Sequence, residues 1–192
     1  MKLGLTGGIA CGKSTVAALF NEAGWQTIDS DSIVRELLAE DLYVQAQIRE
    51  HWGDKVFTKD ALIDRKAVAA LVFSNKSELN WLENLIHPIV QERWKNSLEG
   101  APQLAWLVEI PLLFEKRLET YFDLTVCVYS SPNIAEARMV NRGYTQSEIL
   151  QRREQQMPIN EKVERADYVI SNSGSFDFLK LQIKKFIEQT KG

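Results

Sequence analysis

The sequence predicts an α/β fold built on a parallel sheet covered on both faces, and three observations carry that reading. Short, nearly continuous apolar runs alternate along the chain with segments of helical spacing, as buried parallel strands do. The first apolar run passes through a glycine-rich turn straight into a good helix. The length of 192 residues suits one well-buried core with a small appended lobe.

The elements follow in order. Lys2 to Leu5 is the first strand, and the helix after the turn ends near Glu22-Ala23-Gly24, where Gly24 is placed to cap it. Trp25 to Ile28 is a second short strand, followed by Asp29-Ser30-Asp31 and helical spacing from Ser32 to about Leu38. From about Asp41 to Ser97 the chain is rich in helix. Asp54 to Asp64 is a connecting turn there, Arg65 to Phe73 and Glu78 to Ile86 are helical, and Pro88 interrupts or restarts the pattern before Ile89 to Leu98. Gly100-Ala101-Pro102 breaks the helix, and Gln103 to Glu109 and Leu124 to Tyr129 are buried strands. Ser130-Ser131-Pro132-Asn133 opens a helix through Arg142, Asp167 to Ser171 is the last strand, and Phe176 to Lys191 the closing helix. There is no internal repeat and no low-complexity segment.

Composition narrows the function classes. Hydrophobic content of 45% and charged content of 26% are ordinary for a soluble globular protein. A formal net charge of −3 offers no hint of nucleic acid or membrane as partner. The two cysteines, Cys11 in the glycine-rich turn and Cys127 in a strand, suit a reducing cytoplasm rather than a disulfide framework. No cleaved signal is expected, because the N-terminus has one lysine and goes straight into the first strand and the turn, and no apolar run approaches membrane-spanning length.

The chemistry starts at the turn. Gly7, Gly12, Lys13 and Ser14 fit G-x-x-x-x-G-K-[ST], the phosphate-binding loop. Gly8, Ile9, Ala10, Cys11 and Gly12 supply backbone N–H groups that can close around phosphate oxygens. The helix opening at Lys13-Ser14-Thr15 adds the positive end of its dipole. Lys13 is expected to reach the β- and γ-phosphates and the Ser14 hydroxyl to hold Mg²⁺. The loop thus implies a nucleoside triphosphate.

Further groups cluster at predicted strand ends. Asp29 and Asp31 follow the second strand, where ligands of open α/β sheets bind, and two such carboxylates can orient a hydroxyl and accept its proton. Asp31 serves equally well as a helix cap. Glu109 ends the next apolar strand, where a carboxylate can position Mg²⁺ or water, whereas Glu115 beyond Pro111 reads as a solvated or capping residue. Arg138, Arg142, Arg152, Arg153 and Arg165 crowd one stretch, either around an anion or as a solvated face paired with Glu136 and Glu148. His87, before Pro88, is the better placed of the two histidines, and His51 reads as a capping or surface residue.

Two classes of loop protein compete. A GTP switch needs Asp-x-x-Gly, which is absent, and Asn75-Lys76-Ser77-Glu78 only approaches its base-reading motif and falls in the helical middle. A small-molecule kinase needs the loop, an acceptor lobe and an arginine-bearing lid that excludes water. Residues from about Asp41 to Ser97 can supply the lobe, and Arg138 to Arg165 the lid.

These residues resemble the dephospho-CoA kinase family, which is similar in build to nucleoside monophosphate kinases. The resemblance rests on Leu5-Thr6-Gly7-Gly8-Ile9 leading into Gly12-Lys13-Ser14-Thr15, on Ile28-Asp29-Ser30-Asp31 and on Leu85-Ile86-His87-Pro88-Ile89. It continues through Ile110-Pro111-Leu112-Leu113-Phe114-Glu115, Arg142, Arg153 with Gln156, and Ala166 through Gly174. It implies a three-layer P-loop kinase fold in a single domain, with a five-stranded parallel sheet, a helical CoA-binding lobe over about residues 41–98 and a helical lid over about 138–165. It also implies ATP-dependent phosphorylation of the ribose 3′-hydroxyl of dephospho-CoA, with Mg²⁺, by a cytoplasmic enzyme expected to be a monomer. The alternative is a nucleoside monophosphate kinase or another small-molecule kinase of this build. By the same carry-over Asp29 is the general base, Lys13 and Arg142 stabilise the γ-phosphate, and Asp31, His87 and Glu109 lie on the substrate side. Arg138 belongs to the nucleotide side, and Asn172 lies near the adenine. Ala10-Cys11 departs from the Gly-Ser usual in the family, which exposes the loop to thiol reagents, and Glu109 stands where aspartate is common.

Overall fold

A computed structural model describes residues 1–190; the expected end of the closing helix at Lys191 lies outside them. Five parallel strands form one sheet in the order β2-β3-β1-β4-β5, where β1 is Lys2–Gly7, β2 Gln26–Asp29, β3 Trp106–Glu109, β4 Leu124–Tyr129 and β5 Tyr168–Ser171. The helices are α1 Lys13–Glu22, α2 Ser30–Glu40, α3 Leu42–Trp52, α4 Arg65–Ser74, α5 Lys76–Gly100, α6 Pro132–Asn141, α7 Gln146–Glu154, α8 Ile159–Arg165 and α9 Phe176–Thr190. Contacts divide the chain into two compact units, Ser30–Gly100 and the remainder. No helix of the described residues is long and apolar enough to cross a membrane.

In the sheet-bearing unit, strand alternation sorts side chains onto two faces. Leu3, Leu5, Leu107, Val126 and Val128 share a core with Val16, Leu19 and Phe20 of α1 and Ile183, Phe186 and Ile187 of α9. Phe20 meets Trp25 and Phe186 edge-on, with ring centroids 5.3 and 5.8 Å apart. Such aromatic pairs contribute about 0.5–1.5 kcal/mol beyond burial. Gly4, Thr6 and Cys127 face the other way, where the turn after β3 and helix α8 cover the sheet. A side chain at Gly4 would press on Phe122 and Leu113, so that face is closely packed as well.

Helix α1 stops where the sequence indicates. Gly24, at φ 92°, donates to Asn21 O (2.9 Å), and Trp25 N–H reaches back to Phe20 O (3.0 Å), closing the last turn. The strand after it delivers Asp29 in register with Glu109 of β3, the two lying side by side at the carboxyl edge of the sheet.

The second unit is a helical assembly in which α5 packs on α2 and α4. Its interior gathers Leu37, Val44, Ile48, Val68, Val90 and Trp94. Asp41 caps α3 by accepting from Val44 N–H (3.0 Å), and Asp64 caps α4 through Lys66 and Ala67 N–H. His51 is more than a surface residue: its ring stacks on Trp81 at 3.9 Å, and it bonds Glu78, which also accepts from Trp52 Nε1 (2.6 Å). These two bonds, Trp52 first, hold the Glu78 carboxyl below its usual range.

Three boundaries differ from expectation. Pro88 does not interrupt the helix: α5 runs unbroken through it, because Ile86, Val90, Trp94 and Leu98 are all buried along the same helix. That burial outweighs the roughly 3 kcal/mol a mid-helix proline costs. Strand β3 starts at Trp106 rather than Gln103, because Leu104 N–H turns back onto Ala101 O (3.1 Å) and pairing begins only with Trp106 N–H on Met1 O (2.9 Å). Asp31 is not the cap of α2, since the helix already begins at Ser30.

Gly24→Ala tests the closing turn of α1. Nothing lies within 4 Å of an added Cβ, so only the left-handed backbone is penalised. The expected loss is about 1 kcal/mol, seen as a Tm lower by about 2–4 °C with an unchanged urea m-value.

Candidate active site

The loop between β1 and α1 is shaped by its carbonyls. Cys11 O accepts from Asn172 Nδ2 (2.9 Å) and lies 3.1 Å from Ser130 Oγ, which is also 3.0 Å from Asn172 O. The Arg138 guanidinium donates to Ala10 O (3.2 Å), Ser130 Oγ (3.0 Å) and Asn172 O (3.0 Å). With these carbonyls drawn back toward β4 and β5, the loop can turn N–H groups toward an anion, although Cys11 N–H is itself bonded to Gly8 O (3.3 Å). Gly12 sits at φ 90°, and a Cβ there would run into the Asn172 amide, so only glycine fits.

Lys13 rests on its own loop, with Nζ 3.3 Å from Gly7 O and 3.2 Å from Gly8 O. Ser14 and Thr15 are exposed at the start of α1, and Ser14 Oγ lies 3.4 Å from Glu109 Oε1, long for such a bond. Glu109 is buried and Asp29 half-buried beside it. Leu5, Asp29 and Glu109 align across β1, β2 and β3, on the face that α1 covers. The structure therefore brings together Gly8 to Thr15, Asp29, Glu109, Arg138 and Asn172. Ser130 is the member that sequence reasoning passed over; its only signal was its place at the end of a buried strand.

Cys11 is shielded rather than exposed to reagents. Its side chain is 2% accessible and lies in the α1 core. Cys127 is buried too, and burial pushes its thiol up to about 12.

The arginine stretch resolves into separate roles. Arg138 belongs to the loop. Arg142 is exposed at the end of α6. Arg153 pairs with Glu136 (3.1 Å), whose carboxyl Gln146 first and Arg153 next hold below its usual range. Glu148 closes a capping box with Thr145 at the head of α7, and the Arg152 charge also acts on its carboxyl. Arg152 stacks on the Tyr144 ring, and Arg165 pairs with Glu119 at 2.8 Å.

Glu115 is neither solvated nor a cap. Its Oε1 bonds Lys162 Nζ (2.8 Å) and accepts Met157 N–H (2.8 Å), and Lys162 Nζ also donates to Pro111 O (2.6 Å). Lys162 is wholly buried, and burial lowers its pKa while Glu115 partly restores it. The sequence signal lay in the placing of Lys162 on the apolar stripe of α8, three residues after Ile159 and four before Ala166. Beside the loop, an apolar cavity of about 390 Å³ lies between Ile9, Pro132, Ala135, Leu150 and Ile159. His87 is half-buried in α5 and Asp31 exposed in the first turn of α2, both in the helical unit.

Comparison with known proteins extends the pattern over the whole chain. The family model for dephospho-CoA kinase matches residues 1–177. A dephospho-CoA kinase of Synechococcus sp. (strain CC9902) is 41% identical over 186 residues, 95% of this chain and 93% of its own. That of Enterococcus faecalis (strain ATCC 700802 / V583) is 37% identical over 99% of this chain and 97% of its own. The solved dephospho-CoA kinase from Campylobacter jejuni superposes with a TM-score of 0.73 at 28% identity, covering 99% of this chain and 98% of its own. A phosphate loop tied to β4 and β5, two acidic strand ends beside it and these likenesses over nearly the full length agree: the chain belongs to the dephospho-CoA kinase family.

Proposed function

We infer that the chain phosphorylates dephospho-CoA in coenzyme A biosynthesis, with ATP as donor, and that the residues around its loop divide the work. The observation that carries this reading is the alignment of two carboxylates, Asp29 and Glu109, on adjacent strand ends beside Ser14 and the loop. Phosphoryl transfer asks chiefly for positioning and for charge stabilisation. Asp29 takes the proton of the ribose 3′-hydroxyl as that oxygen attacks. Lys13 exchanges two long bonds to neutral carbonyls for stronger, charge-assisted bonds to phosphate oxygens. Arg142, exposed at the end of α6, meets the γ-phosphate. Arg138 and Asn172 act on the nucleotide by holding the loop that cradles it.

Mg²⁺ fits the residues present. Ser14 offers a hydroxyl at the loop and Glu109 a carboxylate behind it, both hard oxygen donors. No group of three or more His, Cys, Asp or Glu side chains able to hold a metal occurs among the described residues, so Ser14 and Glu109 are the protein groups that would hold the ion. Bound there, the ion supplies neutralisation of charge on the phosphates. The helical unit Ser30–Gly100 serves as the CoA-binding lobe, with Asp31 and His87 among its contacts, and residues 138–165 serve as the lid. The enzyme works as a monomer in the cytoplasm, a setting that two buried, unpaired cysteines suit.

ADP release from the purified protein against dephospho-CoA, AMP, CMP and shikimate tests the reading. Turnover with dephospho-CoA alone is expected, and turnover with a nucleotide acceptor but not dephospho-CoA would overturn it. Asp29→Ala should lower kcat by roughly two to four decades while ATP still binds; near-parental turnover would remove Asp29 as the base. Arg138→Ala should raise the KM for ATP about tenfold, the cost of roughly one hydrogen-bonded anchor lost from the loop. Arg138→Lys should not restore it, since a single ammonium cannot span the acceptors a guanidinium fork reaches.

A further inference from the structure

Lys162 is a costly side chain to place where it is, a lysine with no exposed surface. A fully buried lysine is rare, and exchanging a buried ion pair for apolar groups of similar size is commonly neutral or stabilising. The second oxygen of Glu115, Oε2, is buried without a hydrogen-bond partner, which adds to the cost. Stability alone therefore does not account for the pair.

Its geometry does. Lys162 Nζ, in α8, bonds both Glu115 Oε1 and Pro111 O, and Glu115 Oε1 also accepts Met157 N–H from the link between α7 and α8. Pro111 O additionally accepts from Thr6 Oγ1 (3.2 Å), at the end of β1. Each of the strands joined here leads within a few residues to the reaction. Thr6 precedes Gly7 of the loop, and Pro111 is two residues past Glu109. Met157 closes the segment that carries Arg142, Arg152 and Arg153. The charges of Lys162 and Lys13 are near enough to act on one another.

We propose that Glu115 and Lys162 form a buried latch that fixes the root of the arginine-bearing segment to the ends of β1 and β3, making both of them positioning residues for phosphoryl transfer. The proposal rests on the reaction inferred above. The latch sets the frame in which the loop, Glu109 and the arginines are held, and neither residue touches substrate. An apolar pair could fill the space, but it would leave Met157 N–H without its acceptor, Pro111 O bonded to Thr6 alone and the segment free to shift. A displacement of about 1 Å at such a distance can cost about a hundredfold in rate.

The test compares the parent with Lys162→Met/Glu115→Met, which removes both charges together and preserves volume. Tm is expected to stay within about 2–4 °C of the parent, while kcat with dephospho-CoA falls about 10- to 100-fold. The KM for ATP should move by less than about threefold. A double variant with parental Tm and parental kcat would overturn the latch. Should the double variant fail to fold, Lys162→Arg, which keeps the charge, decides: kcat recovered to within about tenfold of the parent supports the latch, and a soluble variant as slow as Glu115→Gln counts against it. Hydrogen exchange over residues 143–158 in the ligand-free protein, expected to quicken in Glu115→Gln, reads the latch without any substrate. Unchanged exchange overturns the latch whatever the reaction, whereas a parent inactive on dephospho-CoA overturns only the reaction.

Discussion

The site depends on where three carbonyl groups point. A phosphate loop offers N–H donors only if its carbonyls are satisfied elsewhere, because each peptide unit carries both. Here Cys11 O is held by Asn172 and Ala10 O by Arg138, with Ser130 between them. Asn172 O in turn takes the second arm of Arg138. These anchors come from the ends of β4 and β5 and from α6, so the loop has its shape only when the sheet is complete. The close approach of Asn172 to Gly12 makes that glycine a packing requirement as well as a conformational one.

The apolar layer beneath the loop serves the same end. Phe20, Trp25, Phe186 and the strand residues they cover hold α1 against β1 and β3, and so hold Ser14 within reach of Glu109. Register adds the rest: Asp29 pairs with Glu109, which pairs with Leu5. An insertion of one residue in either strand would turn its carboxylate to the opposite face. Core packing and strand register thus place the reactive groups, and no long loop is needed to do so.

Local patterns were legible in the sequence and pairings across it were not. The strands, the loop, the cap at Gly24 and the acidic strand ends announce themselves through periodicity and short motifs, which depend on near neighbours. Pro88 misleads because its helical penalty is local, while the packing that overrides it is not. Glu115 and Lys162 are 47 positions apart in sequence, and Glu115 alone reads as a solvated or capping charge. Glu148, readable as a partner for the basic face, also satisfies its own helix start, which only the fold shows. Arg138 and Asn172 could be connected with the nucleotide from the sequence, yet that they act through the backbone of the loop required the fold.

How a chain of net charge −3 receives a polyanion follows from what each cation is paired with. Arg153, Arg165 and Lys162 face Glu136, Glu119 and Glu115, so their fields are largely cancelled at a distance. Lys13 and Arg138 lie instead on neutral carbonyls, which orient a cation without neutralising it. Positive potential is therefore left uncancelled at the loop, reinforced by the first turn of α1. Glu109 on β3, one strand spacing of roughly 4.8 Å from β1, and Asp29 on β2, one strand further out, supply the opposite sign. In the proposed reaction a phosphate would settle on one side of that boundary, and the acceptor hydroxyl on the other. For the proposed reaction it is this separation of sign across neighbouring strands, rather than the total charge, that would let one edge of the sheet hold a donor and activate an acceptor.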